Sequence, residues 1–421
     1  MAGALLAANA TPAMNSLREL PGVVYFEQGK ARNINVGLPS VFWTKEIVSD
    51  TIAGFDDSYF PAASLGKGVF ATQQLQLKSD EIGSATMAIK LFGIIPIKKV
   101  ELRVLPSRYL IPGGLSIGVS LYTKGTLVVG RGEVTDESGA KVSPAQSAGL
   151  RPGDVIMKIN GVDVVDAAHL AQIVDTANGA ALTLEARRND EHISLRIQPV
   201  KERSEGKFKL GIWVRDSTAG VGTLTYYDPI NDHFGALGHP ITDYDTGDIL
   251  DVRQGHIYYS KIIDVQQGVK GTPGELHGSF TDQLGDIGVI EKNGIFGIYG
   301  QSHVSFENPL YAQPMPIATQ QEIHLGKASI LTTVESNGIN EYQCEIVRLY
   351  PQSEAAPKSM VIQITDEELL AKTGGIVQGM SGSPILQEGK IIGAVTHVFY
   401  NDPTRGHGVY IEWMLQSDWE K

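Results

Sequence analysis

The segment Gly374-Gly375-Ile376-Val377-Gln378-Gly379-Met380-Ser381-Gly382-Ser383-Pro384-Ile385-Leu386 crowds glycine around one serine. A tight turn of this composition exposes the Ser381 hydroxyl. The flanking glycines let the backbone bend sharply and let a substrate approach. The N–H groups of Gly379 and Ser381 can converge there as an oxyanion hole. The competing reading is a plain Gly/Ser-rich hairpin turn. Ser383 stands where the α/β-hydrolase elbow requires its last glycine, so that elbow is excluded. A nucleophilic serine needs a base. Of the ten histidines, His239 is the best candidate. It lies in Phe234-Gly235-Ala236-Leu237-Gly238-His239-Pro240-Ile241-Thr242-Asp243, where small residues and a proline hold one imidazole at a rigid bend. His397 follows an apolar strand and reads as structural or pocket-lining.

Metal chemistry is not expected. There is no His-Glu-x-x-His run. The single cysteine, Cys344, excludes an internal disulfide and a cysteine zinc cluster. It sits in an alternating run, as a buried strand thiol would. No cofactor is implied.

The elements that must position these residues are mostly strands. The 421 residues predict two or three domains. Charged residues are 19% and glycines number 47, which suits short strands and tight turns. The net charge of −12 disfavours nucleic acid and anionic membranes as direct partners. Residues 1–20 read as a flexible terminus or the remnant of a membrane anchor. Residues 21–106 read as a β-sandwich-like region used for contacts or spacing. Its clearest piece is a hairpin of Ala85–Gly93 with Ile97–Leu105, and Phe42-Trp43 with Phe55 to Phe60 could fill its core. Residues 207–421 read as an all-β barrel or sandwich, with strands including Lys209–Val214, Ile257–Ile263, Gly294–Gly300 and Ile391–Thr396.

Between them, residues 107–200 carry Ala148-Gly149-Leu150-Arg151-Pro152-Gly153-Asp154, then a strand over Val155–Ile159, an Asn160-Gly161 turn and a helix over Ala167–Val174. This arrangement resembles a PDZ domain of the kind fused to bacterial proteases. The resemblance implies a loop that binds a peptide or chain terminus, and Gly113, Gly114, Ile117, Gly118 and Val119 are the candidates. Glycine N–H groups can take a carboxylate, and a strand edge can accept a peptide. Another part of the same chain could fill that groove instead.

The serine segment resembles the nucleophile loop of chymotrypsin-like proteases, which implies a double β-barrel. With Lys90-Leu91-Phe92-Gly93, Ile111-Pro112-Gly113-Gly114, Gly238-His239-Pro240 and Val377 to Ile385 in this order, nearly the whole chain resembles the stage IV sporulation protein B peptidases of spore-forming Firmicutes. That resemblance implies a serine endopeptidase with an anchored N-terminus in the space between forespore and mother cell. It would cleave itself, and then a membrane-bound regulator of an intramembrane protease that processes a late sigma factor. It assigns Ser381 as nucleophile, His239 as base and Asp366 as the acid. Asp366 also reads as a helix N-cap, before Glu367-Glu368-Leu369. Asp243 and the aspartates from Asp245 to Asp286 are rivals for the acidic role. The alternative function is an inactive PDZ-containing scaffold that binds a membrane partner.

Overall fold

A computed structural model describes residues 22–39, 43–49, 56–61, 72–91, 93–105, 108–189, 191–280, 285–336 and 338–419. The expected anchor segment at 1–20, and Phe42, Phe55 and Phe92, lie outside them. No helix among the described residues is long and apolar enough to cross a membrane.

The fold is mainly β, as the composition implies. The alternating run beginning at Ala85 does form a hairpin, Gly83–Leu91 with Ile95–Leu105, in which Ala85 pairs with Leu102 and Met87 with Val100. The period of two puts Ala85, Met87, Ile89, Val100, Leu102 and Val104 on one buried face. Strands Val23–Glu27 and Trp43–Ser49 complete this four-stranded sheet, and a three-stranded sheet accompanies it.

The PDZ-like signature folds as its residues dictate. Pro144 opens a one-turn helix, Pro144–Ala148, and Gly149 closes it in the left-handed region at φ 81°. Asn160 and Gly161 both take positive φ and join Val155–Ile159 to Val162–Asp163. Asp166 caps the helix Ala167–Thr176 by accepting from His169 N–H. Leu170, Val174, Ile156, Leu184 and Ile197 form the local core.

Two barrels follow. In the first, strands Ser116–Arg131, Val252–Tyr259, Asp286–Gly294, Gly297–Ser302, His233–Ala236 and Ile212–Asp228 are neighbours in a ring, closed by pairing of the last with the first. The second is a closed barrel of Gly326–Thr332, Asn340–Leu349, Met360–Ile364, Asp402–Tyr410, Lys390–Phe399 and Pro384–Gln387. Its inward residues, among them Ile330, Ile362, Ile385, Val395 and Val409, are fully buried. Each such side chain contributes about 1.5–3 kcal/mol of hydrophobic stabilisation. Cys344 is buried in this barrel, and burial pushes its thiol up to about 12.

Three expectations change. The PDZ-like unit does not begin at Ser107, because Tyr109–Pro112 and the first half of Ser116–Arg131 pair with barrel strands. Gly294–Gly300 is no single strand: Gly294 pairs with Gly297 across a tight turn, and two strands meet there. The expected Ile257–Ile263 strand is divided at Ser260 between two sheets.

Candidate active site

His239 sits just beyond the strand His233–Ala236 of the first barrel. Leu237 and Gly238 both take left-handed φ, 71° and 70°, so the chain turns sharply before it. Leu237 is buried, so packing fixes that unusual backbone. The His239 Nδ1 lies 2.8 Å from the Pro240 carbonyl oxygen. A carbonyl only accepts, so Nδ1 carries the ring proton and Nε2 keeps its lone pair. Burial pushes the His239 pKa below the ordinary imidazole value, and the Pro240 hydrogen bond opposes part of that shift. The ring is neutral at pH 7, as a base must be.

Ser381 lies in the loop between the helix Glu367–Thr373 and the strand Pro384–Gln387 of the second barrel. Gly382 N–H donates to Val395 O, and the buried Ser383 donates its hydroxyl to Met380 O. Gly382 takes φ 96°, and a Cβ there would sit 2.1 Å from Thr223 O, so only glycine lets the loop press against the first barrel. Thr223 fastens that contact: its N–H donates to Ser381 O and its hydroxyl donates to Gly379 O. Among the described residues, none accepts a hydrogen bond from the N–H groups of Gly379 and Ser381. They are free donors beside the serine.

Ser381, His239, Gly379, Thr396 and His397 line one cavity of about 650 Å³ between the barrels. The expected nucleophile, base and oxyanion donors therefore share one cleft. The Ser381 hydroxyl donates to Thr396 O at 2.9 Å and makes no hydrogen bond to His239. The His397 ring lies 5.2 Å from the His239 ring, tilted by 41°. Desolvation first, and then the neighbouring His239, Lys358 and His407, push His397 down to about 4. Two neutral rings do not repel each other at pH 7. His397 thus lines the cleft, the reading its strand position suggested.

Asp366 is not brought to this cleft. It is the N-cap of the helix Glu367–Thr373, with Oδ1 accepting from Glu368 and Leu369 N–H and Oδ2 accepting from Gln343 N–H. Asp243 is buried and engaged elsewhere: one oxygen accepts from Arg215 Nη1 at 2.5 Å, the other from Asp245 and Thr246 N–H. Among the described residues no carboxylate bonds to the His239 ring.

The expected peptide-binding loop is overturned. Gly113 and Gly114 donate their N–H groups to Thr225 and Leu224, and Ile117, Gly118 and Val119 are paired on both sides within the first barrel. Phe280 stacks where a Gly118 Cβ would be. No edge is left for a peptide. The open groove of the PDZ-like unit lies elsewhere. A cavity of about 500 Å³ runs between the helix Ala167–Thr176 and the Phe208–Val214 segment, floored by Leu170, Val174, Leu210 and Ile212. Part of its wall is the chain's own hairpin, anchored by Phe208 N–H on Asp175. Thr223 and this groove escaped the sequence reading, because both depend on strand pairings distant in the chain.

Residues 206–415 match the family described as SpoIVB peptidase S55. Through this domain the chain belongs to the SpoIVB peptidase S55 family. Residues 135–188 match a PDZ domain. The S55 match contains both Ser381 and His239. Among curated proteins, the putative serine protease HhoA of Synechocystis is 40% identical over 63 residues, covering 15% of this chain and 16% of that protein. Serine protease HTRA3 of Rattus norvegicus is 39% identical over 57 residues, 14% of this chain and 12% of that protein. The chain thus spans less than a fifth of the length of either curated relative. Among solved structures, the active form of the Rv3671c protease of M. tuberculosis aligns over 48% of this chain and 73% of its own, at 13% identity and TM-score 0.29. Deg5 aligns over 47% and 81%, at 14% identity and TM-score 0.27.

Proposed function

We propose that this protein is a self-cleaving serine endopeptidase in which Ser381 is the nucleophile and His239 the general base. The observation that carries the reading is the shared cleft. It brings together a serine, a neutral imidazole with its Nε2 lone pair free, and two unengaged backbone N–H groups. In the reaction the Ser381 hydroxyl leaves Thr396 O and turns toward Nε2. It attacks the scissile carbonyl while His239 takes its proton. The developing oxyanion is met by the N–H groups of Gly379 and Ser381. His239 then protonates the leaving amine, and water hydrolyses the acyl-enzyme by the same path.

The family supports the finer reading. The substrate is a membrane-bound regulator of an intramembrane protease, and the cut is a signal between compartments during spore formation. An exported or membrane-anchored location, between forespore and mother cell, follows from the same source. The PDZ-like unit presents a peptide or chain terminus from the groove beside Ala167–Thr176. The alternative reading, an inactive scaffold, is favoured by one observation: the Ser381 hydroxyl points to Thr396 O rather than to His239.

The test is purified full-length protein incubated alone. Shortening of the chain, with none in Ser381→Ala at unchanged thermal stability, is the expected result. Loss of a nucleophile costs several orders of magnitude in rate. Unchanged shortening in Ser381→Ala would overturn the assignment.

A further inference from the structure

The His239 Nδ1 proton is held by a backbone carbonyl where a serine peptidase usually supplies a carboxylate. That carbonyl belongs to the Pro240–Ile241 peptide unit. The N–H of the same unit donates to Asn293 Oδ1 at 2.8 Å. Asn293 Nδ2 donates in turn to Ile241 O at 2.7 Å and Leu250 O at 2.9 Å. One N–H and two carbonyls admit only one orientation of the amide, so its partners fix the assignment of O and N. Leu250 N–H closes the same ring by donating to Ile241 O. The loop from Ile241 to Leu250 is therefore pinned at its base by one side chain.

We infer that Asn293 is a positioning residue for catalysis: through the Pro240–Ile241 peptide it orients and polarises the carbonyl that holds His239. A peptide is planar, so fixing its N–H fixes the direction of its C=O. A hydrogen bond donated by the N–H also strengthens the C=O as an acceptor, since bonds in a chain polarise one another. The support is rigid because Asn293 opens the Gly294–Gly297 turn. That turn lies directly under the histidine bend, where a Gly297 Cβ would come 2.4 Å from Ala236 O and 3.3 Å from Gly238 N.

The inference rests on the proposed role of His239, and two readouts keep the two separable. The first is the rate of acylation of full-length protein by a fluorophosphonate probe and of cleavage of a peptide substrate. Asn293→Ala should lower kcat and acylation about 100-fold with KM little changed, the scale expected for an ångström-sized misplacement. Asn293→Asp keeps an acceptor for Ile241 N–H but loses two donors, so it should recover part of that loss. The second readout is the nitrogen NMR spectrum of the His239 ring, which needs no turnover. Wild type should show the Nδ1–H tautomer, Asn293→Ala a tautomer mixture, and Asn293→Asp a return toward Nδ1–H. An unchanged tautomer in folded Asn293→Ala, or near-normal acylation by it, would overturn the inference. A wild type that shows the tautomer pattern but is never acylated at Ser381 would instead sink the peptidase reading and leave standing only the hold of Asn293 on the His239 ring.

Discussion

The two halves of the site are held in different ways. The nucleophile loop takes its shape from local turns. Met380, Ser383 and Val377 bond to one another, and Gly382 reaches only the neighbouring strand at Val395. Thr223 secures it from the first barrel, and Gln378 exchanges backbone hydrogen bonds with Gly274 and Leu276. The histidine bend depends on distant residues. Asn293 sets the peptide after His239, and Arg215 braces the loop beyond through Asp243 and Asp245. A nucleophile loop built from local turns announces itself by composition. A base supported by a backbone carbonyl does not, because a carbonyl has no residue identity.

This contrast can be attacked at its joints. After Ser381 itself, the largest effect is expected at Thr223, which ties the nucleophile loop to the first barrel at Gly379 and Ser381. Thr223→Val keeps the shape and the Thr223 N–H but removes the hydroxyl from Gly379 O. The Gly379–Met380 peptide, which lies between the two oxyanion donors, then loses its tether to the first barrel. We expect kcat/KM to fall about 10-fold, with stability reduced by about 1 kcal/mol from the lost buried hydrogen bond. Kinetics and denaturant unfolding measure both. Normal kcat/KM would show that the loop keeps its geometry without the Thr223 hydroxyl.

A smaller effect is expected at Asp366. As a cap on the helix that leads into the nucleophile loop, Asp366→Ala should lose about 1 kcal/mol of stability. Asp366→Asn keeps the cap on Glu368 and Leu369 N–H but turns an amide nitrogen on Gln343 N–H, so it should lose part of that stability while its rate stays close to wild type. A loss of several orders of magnitude in kcat for stable Asp366→Asn would restore Asp366 to the acidic role that the family resemblance gives it.

Where motif and geometry are local, the sequence was readable. The Gly149 cap, the Asn160-Gly161 turn and the Ala85–Leu105 hairpin all rest on short-range signals, as do the separate turns that carry His239 and Ser381. What escaped depends on long-range pairing. The glycines at Gly113 and Gly114 suggested free N–H groups, but the first-barrel strand Ile212–Asp228 consumes them through Thr225 O and Leu224 O. Gly294 to Gly300 looked like one continuous strand because Ile295 and Phe296 are apolar, yet Ile295 is exposed at the tip of a turn that joins two strands. Asp366 supported two roles in sequence. The structure gives its oxygens three backbone N–H partners away from the cleft.

The central claim is that neutral His239 activates Ser381. Its most direct test is the rate of fluorophosphonate labelling of the full-length protein across pH, with the adduct located by mass spectrometry. His239 must be unprotonated to accept the serine proton, so labelling is present above its pKa and lost as pH falls through it. Burial lowers that pKa, so the midpoint of the acid limb should lie below the ordinary imidazole value of about 6.5. The account predicts one adduct, on Ser381, with this acid limb, and almost no labelling in His239→Ala. An adduct on another residue, or a Ser381 labelling rate that is unchanged in His239→Ala, would contradict it.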